Sequence, residues 1–243
     1  MIRMIGDKKV WVGIISHLRE KNVPDMQNLV GDATWYVDRD EKQIYEQHGA
    51  RSVVPSGALC ESRNAILNDA FANDCIALEL SDDLKKLELA VDKENKNKKV
   101  LNINEAIQMM IDAAEKNGAK MVGTAPTNNA YFFNPKKPYH TQAFIVGDMI
   151  LVLPTELRFD ENLKLKEDYD YTLQHIVKYG CVARVNALLP TFLHRSNSGG
   201  ACHYRNARRE QRAIRYLKSK WGDFIADNPR RENEILLKIK NKR

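Results

Sequence analysis

Short apolar runs rich in β-branched residues alternate along this sequence with stretches of helical periodicity, and this alternation constrains the fold more than any other feature. Such runs span residues 9–16, 33–37, 51–55 and 75–80, and residues 59–72 carry apolar side chains at helical spacing between the last two. Strands that are buried on both faces read as apolar runs separated by helices. The pattern therefore predicts an α/β fold with a mixed, mainly parallel sheet flanked by helices.

The second half of the sequence continues this pattern. An amphipathic helix is predicted over 104–116, and another from near Lys166 to Gly180, which is a good helix C-cap. A basic helix is predicted over about 206–221. Further strands are predicted at four places: 120–123, 142–145, 149–153 and 182–189.

The composition is that of an ordinary globular chain. Of the 243 residues, 43% are hydrophobic and 29% are charged, which allows a sizeable core and excludes a disordered chain. No apolar run reaches the roughly 18 residues that span a bilayer, and no Cys-x-x-Cys pair joins the four scattered cysteines. We therefore expect a cytoplasmic protein without membrane partners, zinc knuckles or disulfides.

Positive charge is concentrated near the C-terminus. The formal net charge is +6, but residues 195–243 hold fourteen Lys and Arg against five acids, which leaves the rest of the chain slightly acidic. We expect a catalytic domain over residues 1–204 and a basic helical extension, 205–243, packed on it. Both a polyanionic partner and a solvated helix face fit this charge. Five arginines form a cationic stripe that can follow a phosphate backbone: Arg205, Arg208, Arg209, Arg212 and Arg215.

Polar residues directly follow three of the predicted strands. Ligands of open α/β sheets bind beyond the carboxyl ends of the strands, so these residues are candidates for a binding site. Adjacent carboxylates repel each other, and a divalent cation that bridges to a diphosphate relieves this repulsion. The alternatives are solvated loops or, for the Ser-Asp-Asp segment, the N-cap of a helix starting at Leu84. The candidates are Ser16, His17, Asp38, Ser81, Asp82 and Asp83.

Three residues of two helices are expected to extend this cleft. Arg63, one turn into its helix, would neutralise a diphosphate, although a surface ion pair is the alternative. Glu167 and Asp168 open the helix that ends at Gly180, where the positive end of the helix dipole alone could explain them. The functional interpretation is that one of the two carboxylates is a general base toward a hydroxyl.

A glycine-containing loop, residues 196–200, is flanked by further candidates. His194 is expected to complete the coordination of the cation, with His203 as the alternative ligand, and Arg195 to hold a leaving diphosphate. The glycines would let the loop close over the ligand.

The order of these motifs resembles that of GT-A glycosyltransferases. It comprises an apolar first strand, an Arg-Asn helix, a strand ending in Ser-Asp-Asp, a Glu-Asp-x-Asp helix start and a late histidine. Within that fold the chain resembles the DNA-modifying group of base J glucosyltransferases and tailed-phage hydroxymethylpyrimidine glycosyltransferases, over most of residues 9–205. The usual signature is Asp-x-Asp, whereas Ser81 stands here in place of the first carboxylate.

The resemblance implies a metal-dependent enzyme that moves glucose, or a pentose such as arabinose, from a UDP-sugar to the hydroxyl of a hydroxymethylcytosine-type pyrimidine in duplex DNA. Ser16, His17 and Asp38 would then lie near the donor nucleoside, Ser81 at its ribose, and Asp83 at a Mn²⁺ or Mg²⁺ ion. Three alternatives stay open. They are a GT-A enzyme acting on a saccharide or protein, a non-catalytic nucleic-acid-binding protein, and a two-metal nuclease built on the four acids at positions 82, 83, 167 and 168.

Overall fold

The structure is a computed structural model that describes residues 1–92, 97–193, 199–200 and 204–239. Its α-helices are α1 Val23–Val30, α2 Lys42–Gln47, α3 Leu59–Ala72, α4 Ile103–Asn117, α5 Glu167–Tyr179 and α6 Ala207–Trp221. Its strands are β1 Ile2–Ile5, β2 Lys8–Ile15, β3 Thr34–Val37, β4 Val53–Pro55, β5 Ile76–Ser81, β6 Leu84–Ala90, β7 Lys98–Val100, β8 Met121–Thr124, β9 Tyr139–His140, β10 Met149–Val152, β11 Ala183–Val185, β12 Leu188–Phe192, β13 Ile225–Asp227 and β14 Ile235–Leu237. Short 3-10 helices span Glu20–Asn22, Ala130–Phe132 and Gly222–Phe224.

The central sheet has the order β4-β3-β2-β5-β10-β8-β11-β9, with β1 paired to β2. Strands β2, β3, β4, β5, β8 and β11 run in one direction, whereas β1, β9 and β10 run in the other. Helices cover both faces, with α1 and α4 against one and α3 and α5 against the other. The prediction of a mixed, mainly parallel α/β sheet flanked by helices is therefore confirmed.

Alternation along β2 supplies both layers of the core. Val10, Val12 and Ile14 point to the layer that holds α1 and α4, while Trp11 and Ile15 pack on the opposite layer. A Cβ at Gly13 would lie 2.7 Å from a side-chain atom of Ile66. The absence of a side chain at residue 13 thus lets α3 pack close to the sheet that carries the site.

Several elements differ from the sequence-based predictions. No helix starts at Leu84, because residues 84–90 form β6, which pairs with β12 and β7 in a separate three-stranded sheet. The predicted strand 142–145 does not form, although Ile145 is buried in the core. The single run 182–189 is divided between β11 in the central sheet and β12 in the small one.

The C-terminal segment packs on α5 and on the loop before it. Ala213, Ile214 and Leu217 of α6 share an apolar cluster with Leu165 and Leu173. Hydrogen bonds reinforce this contact, since both Trp221 and Lys220 reach the buried carboxylate of Asp170, at 2.7 and 2.9 Å. Within the described residues, no helix is both long and apolar enough to cross a membrane.

Candidate active site

The carboxyl ends of β2, β3 and β5 bring the predicted polar residues to one edge of the sheet. Strand β2 pairs in parallel with both β3 and β5, so the residues that follow all three strands emerge on the same side. Ser16 and His17 follow β2, Asp38 follows β3, and Ser81 ends β5 just before Asp82 and Asp83. The structure therefore groups all six strand-end candidates.

Arg19 links the two adjacent carboxylates at this edge. Its guanidinium lies 2.9 Å from Asp82 and 3.4 Å from Asp83, and both acids are buried. Asp82 also accepts a hydrogen bond from Ser16, whose hydroxyl lies 2.5 Å from the hydroxyl of Tyr45. Burial raises the pKa of Asp82 to about 6, although Arg19 and Ser16 act in the opposite direction. With both acids ionised, one guanidinium leaves the group with a net negative charge.

His17 occupies the space between this acidic group and α2. Its Nδ1 atom lies 3.3 Å from a carboxylate oxygen of Glu41 and 3.9 Å from one of Asp38. The ring of Tyr204 stacks on the imidazole with 5.5 Å between centroids, and its hydroxyl lies 3.3 Å from Nε2. Tyr204, which precedes α6 by three residues, therefore contacts the residue that follows β2.

The glycine pair at 199–200 rests on the same loop. The amide of Gly200 donates to the carbonyl of His17 at 2.8 Å, and Arg19 donates to the carbonyl of Gly199 at 3.2 Å. A Cβ at Gly199, where φ is +91°, would lie 2.7 Å from the carbonyl oxygen of Leu18. The contact therefore requires a glycine at position 199.

Two site residues expected beside this loop lie outside the described residues. They are His194, predicted as a metal ligand, and Arg195, predicted to bind the diphosphate. The alternative metal ligand His203 also lies outside them. Their roles stay predictions.

A second charged group lies in the interior next to the first. Arg63 of α3 donates to Glu79 of β5 at 2.8 Å, and to Glu167 of α5 and the carbonyl of Gly147 at 3.1 and 2.9 Å. Arg63, Glu79 and Glu167 are all buried. Arg63 thus forms ion pairs in the core with residues of β5 and α5, so the alternative of a surface ion pair with a neighbour on its own helix is wrong. Burial raises the pKa of Glu79 to about 7 against the opposing effect of Arg63.

Asp168 differs from its neighbour Glu167 in its contacts. Its carboxylate accepts hydrogen bonds from the amides of Gly147, at 3.2 Å, and Tyr169, at 3.0 Å. The side chain is half-buried, and within the described chain no ion pair involves it. Burial and the adjacent Glu167 raise the pKa of Asp168 well above its ordinary value. Of the two predicted bases, Asp168 is the one whose carboxylate is not held by a cation.

The turn at residues 147–148 connects the two charged groups. The carbonyl of Asp148 accepts the amide of Ser81 at 2.8 Å, while Gly147 binds Arg63 and Asp168. A Cβ at Gly147 would lie 2.6 Å from a guanidinium nitrogen of Arg63. A displacement of Arg63 would therefore move this turn and, through the hydrogen bond between Asp148 and Ser81, the end of β5.

The carboxylates at the sheet edge fit a divalent cation only if water and substrate phosphates supply most of its ligands. Among the described residues, no group of three or more His, Cys, Asp or Glu side chains could hold a metal ion. Mg²⁺, however, is commonly held by one or two carboxylates, with water and substrate phosphates as its other ligands. Asp82 already accepts hydrogen bonds from both Ser16 and Arg19, whereas Asp83 contacts Arg19 at a longer 3.4 Å. Asp83 is therefore the better carboxylate ligand.

The five arginines of the predicted stripe fall into two sets. Arg205 pairs with Glu210 at 3.0 Å, and Arg209 donates to the carbonyl of Tyr204 at 2.7 Å. The other three are exposed on the face of α6 opposite its apolar residues and form no ion pair with any described residue: Arg208, Arg212 and Arg215. An outward cationic row therefore starts at Arg208, four residues along the chain from Tyr204, which stacks on His17.

Some residues of the site were not selected from the sequence. Glu41 and Tyr45 approach Ser16 and His17 only because α2 folds back over the end of β2. Glu79 could have been selected from the sequence, since a carboxylate between Leu78 and Leu80 in an apolar run requires a buried partner.

No protein-family model matches the sequence, and no curated protein matches it. The structure is similar to the crystal structure of residues 1–349 of S. aureus TarS, with a TM-score of 0.47. The sequence identity is 13%, and the similarity covers 88% of this chain and 72% of that chain. A TM-score of 0.47 and an identity of 13% do not assign a function to this chain.

Proposed function

We propose that this protein is a metal-dependent glycosyltransferase that moves a sugar from a UDP-sugar to the hydroxyl of a modified pyrimidine in DNA. One observation carries the proposal. Asp82 and Asp83 meet Ser16, His17 and Asp38 at the carboxyl edge of the sheet, where α/β enzymes bind nucleotides.

The donor would lie along this edge. Ser16, His17 and Asp38 would contact the nucleoside, and Ser81 the ribose, while Arg195 would hold the diphosphate. Asp83 and His194 would hold a divalent cation, Mn²⁺ or Mg²⁺, which supplies positive charge to the departing diphosphate. Arg63 would not contact the donor. It would position the site indirectly, because it binds Gly147 and Glu167 and thereby holds the turn next to Ser81.

The acceptor hydroxyl would approach Asp168. A carboxylate with a raised pKa and without a salt bridge accepts a proton in the neutral range, and that is what a general base toward a hydroxyl requires. Glu167 supports this role because its negative charge raises the pKa of Asp168, while its own carboxylate stays bound to Arg63.

Exposed arginines support DNA as the acceptor. The row of Arg208, Arg212 and Arg215 points away from the core and begins near Tyr204, which stacks on His17. Lys and Arg that neutralise phosphates provide the sequence-independent part of DNA binding. A saccharide or protein acceptor gives no reason for this row.

A two-metal nuclease is the less suitable assignment. It requires the four acids at positions 82, 83, 167 and 168 to converge on paired metal ions. Instead, Asp82 and Asp83 share Arg19, and Glu167 binds Arg63.

The experiment is mass spectrometry of nucleosides after the protein is incubated with hydroxymethylated duplex DNA and a panel of nucleotide sugars. We expect a new glycosylated pyrimidine that chelator abolishes. Asp83→Ala should also abolish it, whereas Asp112→Ala, which removes an exposed carboxylate on α4, should not. Product formed by Asp83→Ala in chelator would disprove the metal assignment. If no tested DNA is modified while saccharides or proteins are, the acceptor is wrong.

A further inference from the structure

A concave region lies beyond the end of β8, and β10 separates it from the strand end that carries Asp82 and Asp83. It is a cavity of about 340 Å³, within the range of ligand-binding pockets, and its walls are mainly apolar. It shares residues 125–127 with a smaller cavity of about 170 Å³, which is lined by Thr124 and Asp148 among others. The smaller cavity thus includes Asp148, whose carbonyl accepts the amide of Ser81 at the end of β5.

One wall of the larger cavity is a loop with exposed aromatic rings. Phe132 is 68% exposed, and Tyr131, which is 54% exposed, contacts it edge to face with 5.5 Å between centroids. The next residue, Phe133, is buried and anchors the loop in an apolar cluster. The Asn129 side chain accepts the amide of Tyr131 at 3.0 Å. The loop therefore holds a flat apolar surface in water, and no described element covers the ring of Phe132.

The larger cavity is also lined by an arginine. Arg184 of β11 is half-buried, and its Nε atom donates to Asn186 at 3.1 Å. Its guanidinium has no carboxylate partner among the described residues. Burial lowers the pKa of Arg184, and burial together with the positive charges of Arg184 and Lys137 lowers the pKa of nearby His140. The lining at Arg184 therefore has an unbalanced positive charge that suits an anion.

We propose that this cavity binds a single nucleotide of the acceptor strand, with its base stacked on Phe132 and its phosphate at Arg184. The inference rests on the proposed function, because DNA is the acceptor there. It adds a subsite that recognises an unstacked nucleotide. An exposed aromatic face stacks bases of any sequence, and a guanidinium binds phosphate through two parallel hydrogen bonds. An acidic peptide would satisfy Arg184 but would not require the exposed ring.

The test measures separately what the base and the phosphate of the nucleotide contribute to binding. Deoxycytidine 5′-monophosphate, deoxycytidine and deoxyribose 5-phosphate are titrated in turn by ligand-observed NMR, with saturating UDP present so that the donor edge is occupied. We expect the nucleotide to bind roughly tenfold or more tightly than either fragment, since deoxyribose 5-phosphate lacks the base–aromatic stack and deoxycytidine lacks the charge-assisted hydrogen bonds to the guanidinium, each worth about that factor.

Two variants assign each part of the ligand to a wall. Phe132→Ala should abolish the advantage of the nucleotide over deoxyribose 5-phosphate, and Arg184→Gln its advantage over deoxycytidine, with little change in the thermal melt. Arg51→Gln is the matched control, because Arg51 is an exposed arginine just before β4, at the opposite edge of the sheet.

The outcomes distinguish the two proposals. If the nucleotide binds no better than its fragments, or if Phe132→Ala and Arg184→Gln behave like Arg51→Gln, the subsite does not exist, whatever the transfer activity. If the nucleotide binds as expected and both variants weaken it, the subsite is supported, even when no sugar transfer to DNA is detected. That last result would contradict only the proposed function.

Discussion

Arg19 donates a hydrogen bond of 2.9 Å to the carboxylate of Asp82, across the edge where β2 and β5 end. The same nitrogen lies 3.4 Å from Asp83. A fixed positive charge therefore occupies the place at which the proposed divalent cation would bind. Cation and guanidinium compete for the same oxygens, so the affinity for metal reports on this contact.

Replacement of Arg19 should strengthen metal binding in the absence of donor. Arg19→Gln removes the competing charge but keeps a hydrogen-bond donor of similar size. We expect the dissociation constant for Mn²⁺ to fall by about tenfold or more, which corresponds to about 1.4 kcal/mol. The measurement is a Mn²⁺ titration followed by electron paramagnetic resonance, with Arg51→Gln as the charge-matched control. An unchanged or larger dissociation constant in Arg19→Gln would show that the carboxylates do not hold the cation.

The raised pKa of Glu79 predicts in which direction the stability of the protein changes with pH. Burial raises its pKa from 4.5 to about 7, so the folded protein binds an extra proton between these pH values. Stability from this group is present at low pH and is lost as pH rises through that window, at up to about 1.4 kcal/mol per pH unit. Glu79→Gln removes the titration and keeps the shape. Relative to wild type, the variant should therefore become progressively more stable as the pH rises from 4.5 to 7.

Urea unfolding at a series of pH values measures this difference. Glu88→Gln is the control of opposite sign, because hydrogen bonds from Lys86 and Lys98 outweigh burial and lower the pKa of Glu88. Its contribution changes only below about pH 4.5, where it is lost as pH falls. A stability difference between Glu79→Gln and wild type that stays constant from pH 4.5 to 7 would show that Glu79 is ionised throughout.

Asp168 is expected to act on the acceptor. Asp168→Asn can keep the hydrogen bond from Gly147 through its amide oxygen but loses one acceptor and its basicity, so kcat for transfer should fall by a factor on the order of a hundred or more. The dissociation constant for UDP, measured by calorimetry, should not change. Asp223→Asn, at an exposed residue after α6, is the control. Normal turnover with weakened UDP binding would place Asp168 on the donor side instead.

The sequence was sufficient to predict those strands and helices whose burial follows a simple pattern along the chain. Strands β2, β3 and β5 are apolar because both faces of the sheet are covered, and α4 has one apolar face because one side meets the sheet. Strand direction has no such signature. Residues 149–152 are as apolar as a parallel strand, yet β10 runs antiparallel to both neighbours.

The site was predictable where chain order alone decides position. Ser16 and Asp82 follow neighbouring parallel strands, so topology brings them together. Contacts such as that of Tyr204 with His17 join residues 187 positions apart, and such pairs depend on how α6 packs. Short-range periodicity contains no information on that packing. The spacing of the arginines predicted a stripe, but the Glu210 partner of Arg205 emerged only from the structure.

The last prediction concerns the outward row on α6. Arg208 and Arg212 lie one helical turn apart, are exposed, and form no ion pair with the residues that the structure describes, so each is available to a phosphate. Each phosphate contact releases condensed counterions, which makes the logarithm of the binding constant for duplex DNA fall with the logarithm of salt concentration by about 0.9 per contact. Arg208→Ala combined with Arg212→Ala should therefore reduce that slope by about 1.8 in fluorescence anisotropy titrations. UDP-sugar hydrolysis without DNA should be unaffected.

Arg230→Ala combined with Arg231→Ala is the control for this pair, because it removes the same net charge from the exposed turn between β13 and β14. If the reduction in slope comes from direct contacts, the control pair retains the wild-type slope while the α6 pair does not. An equal change in both would mean that only the total charge of the C-terminal segment matters. If the slope of the α6 pair is unchanged, the row is a solvated helix face, and the proposal of DNA as acceptor loses its main physical support.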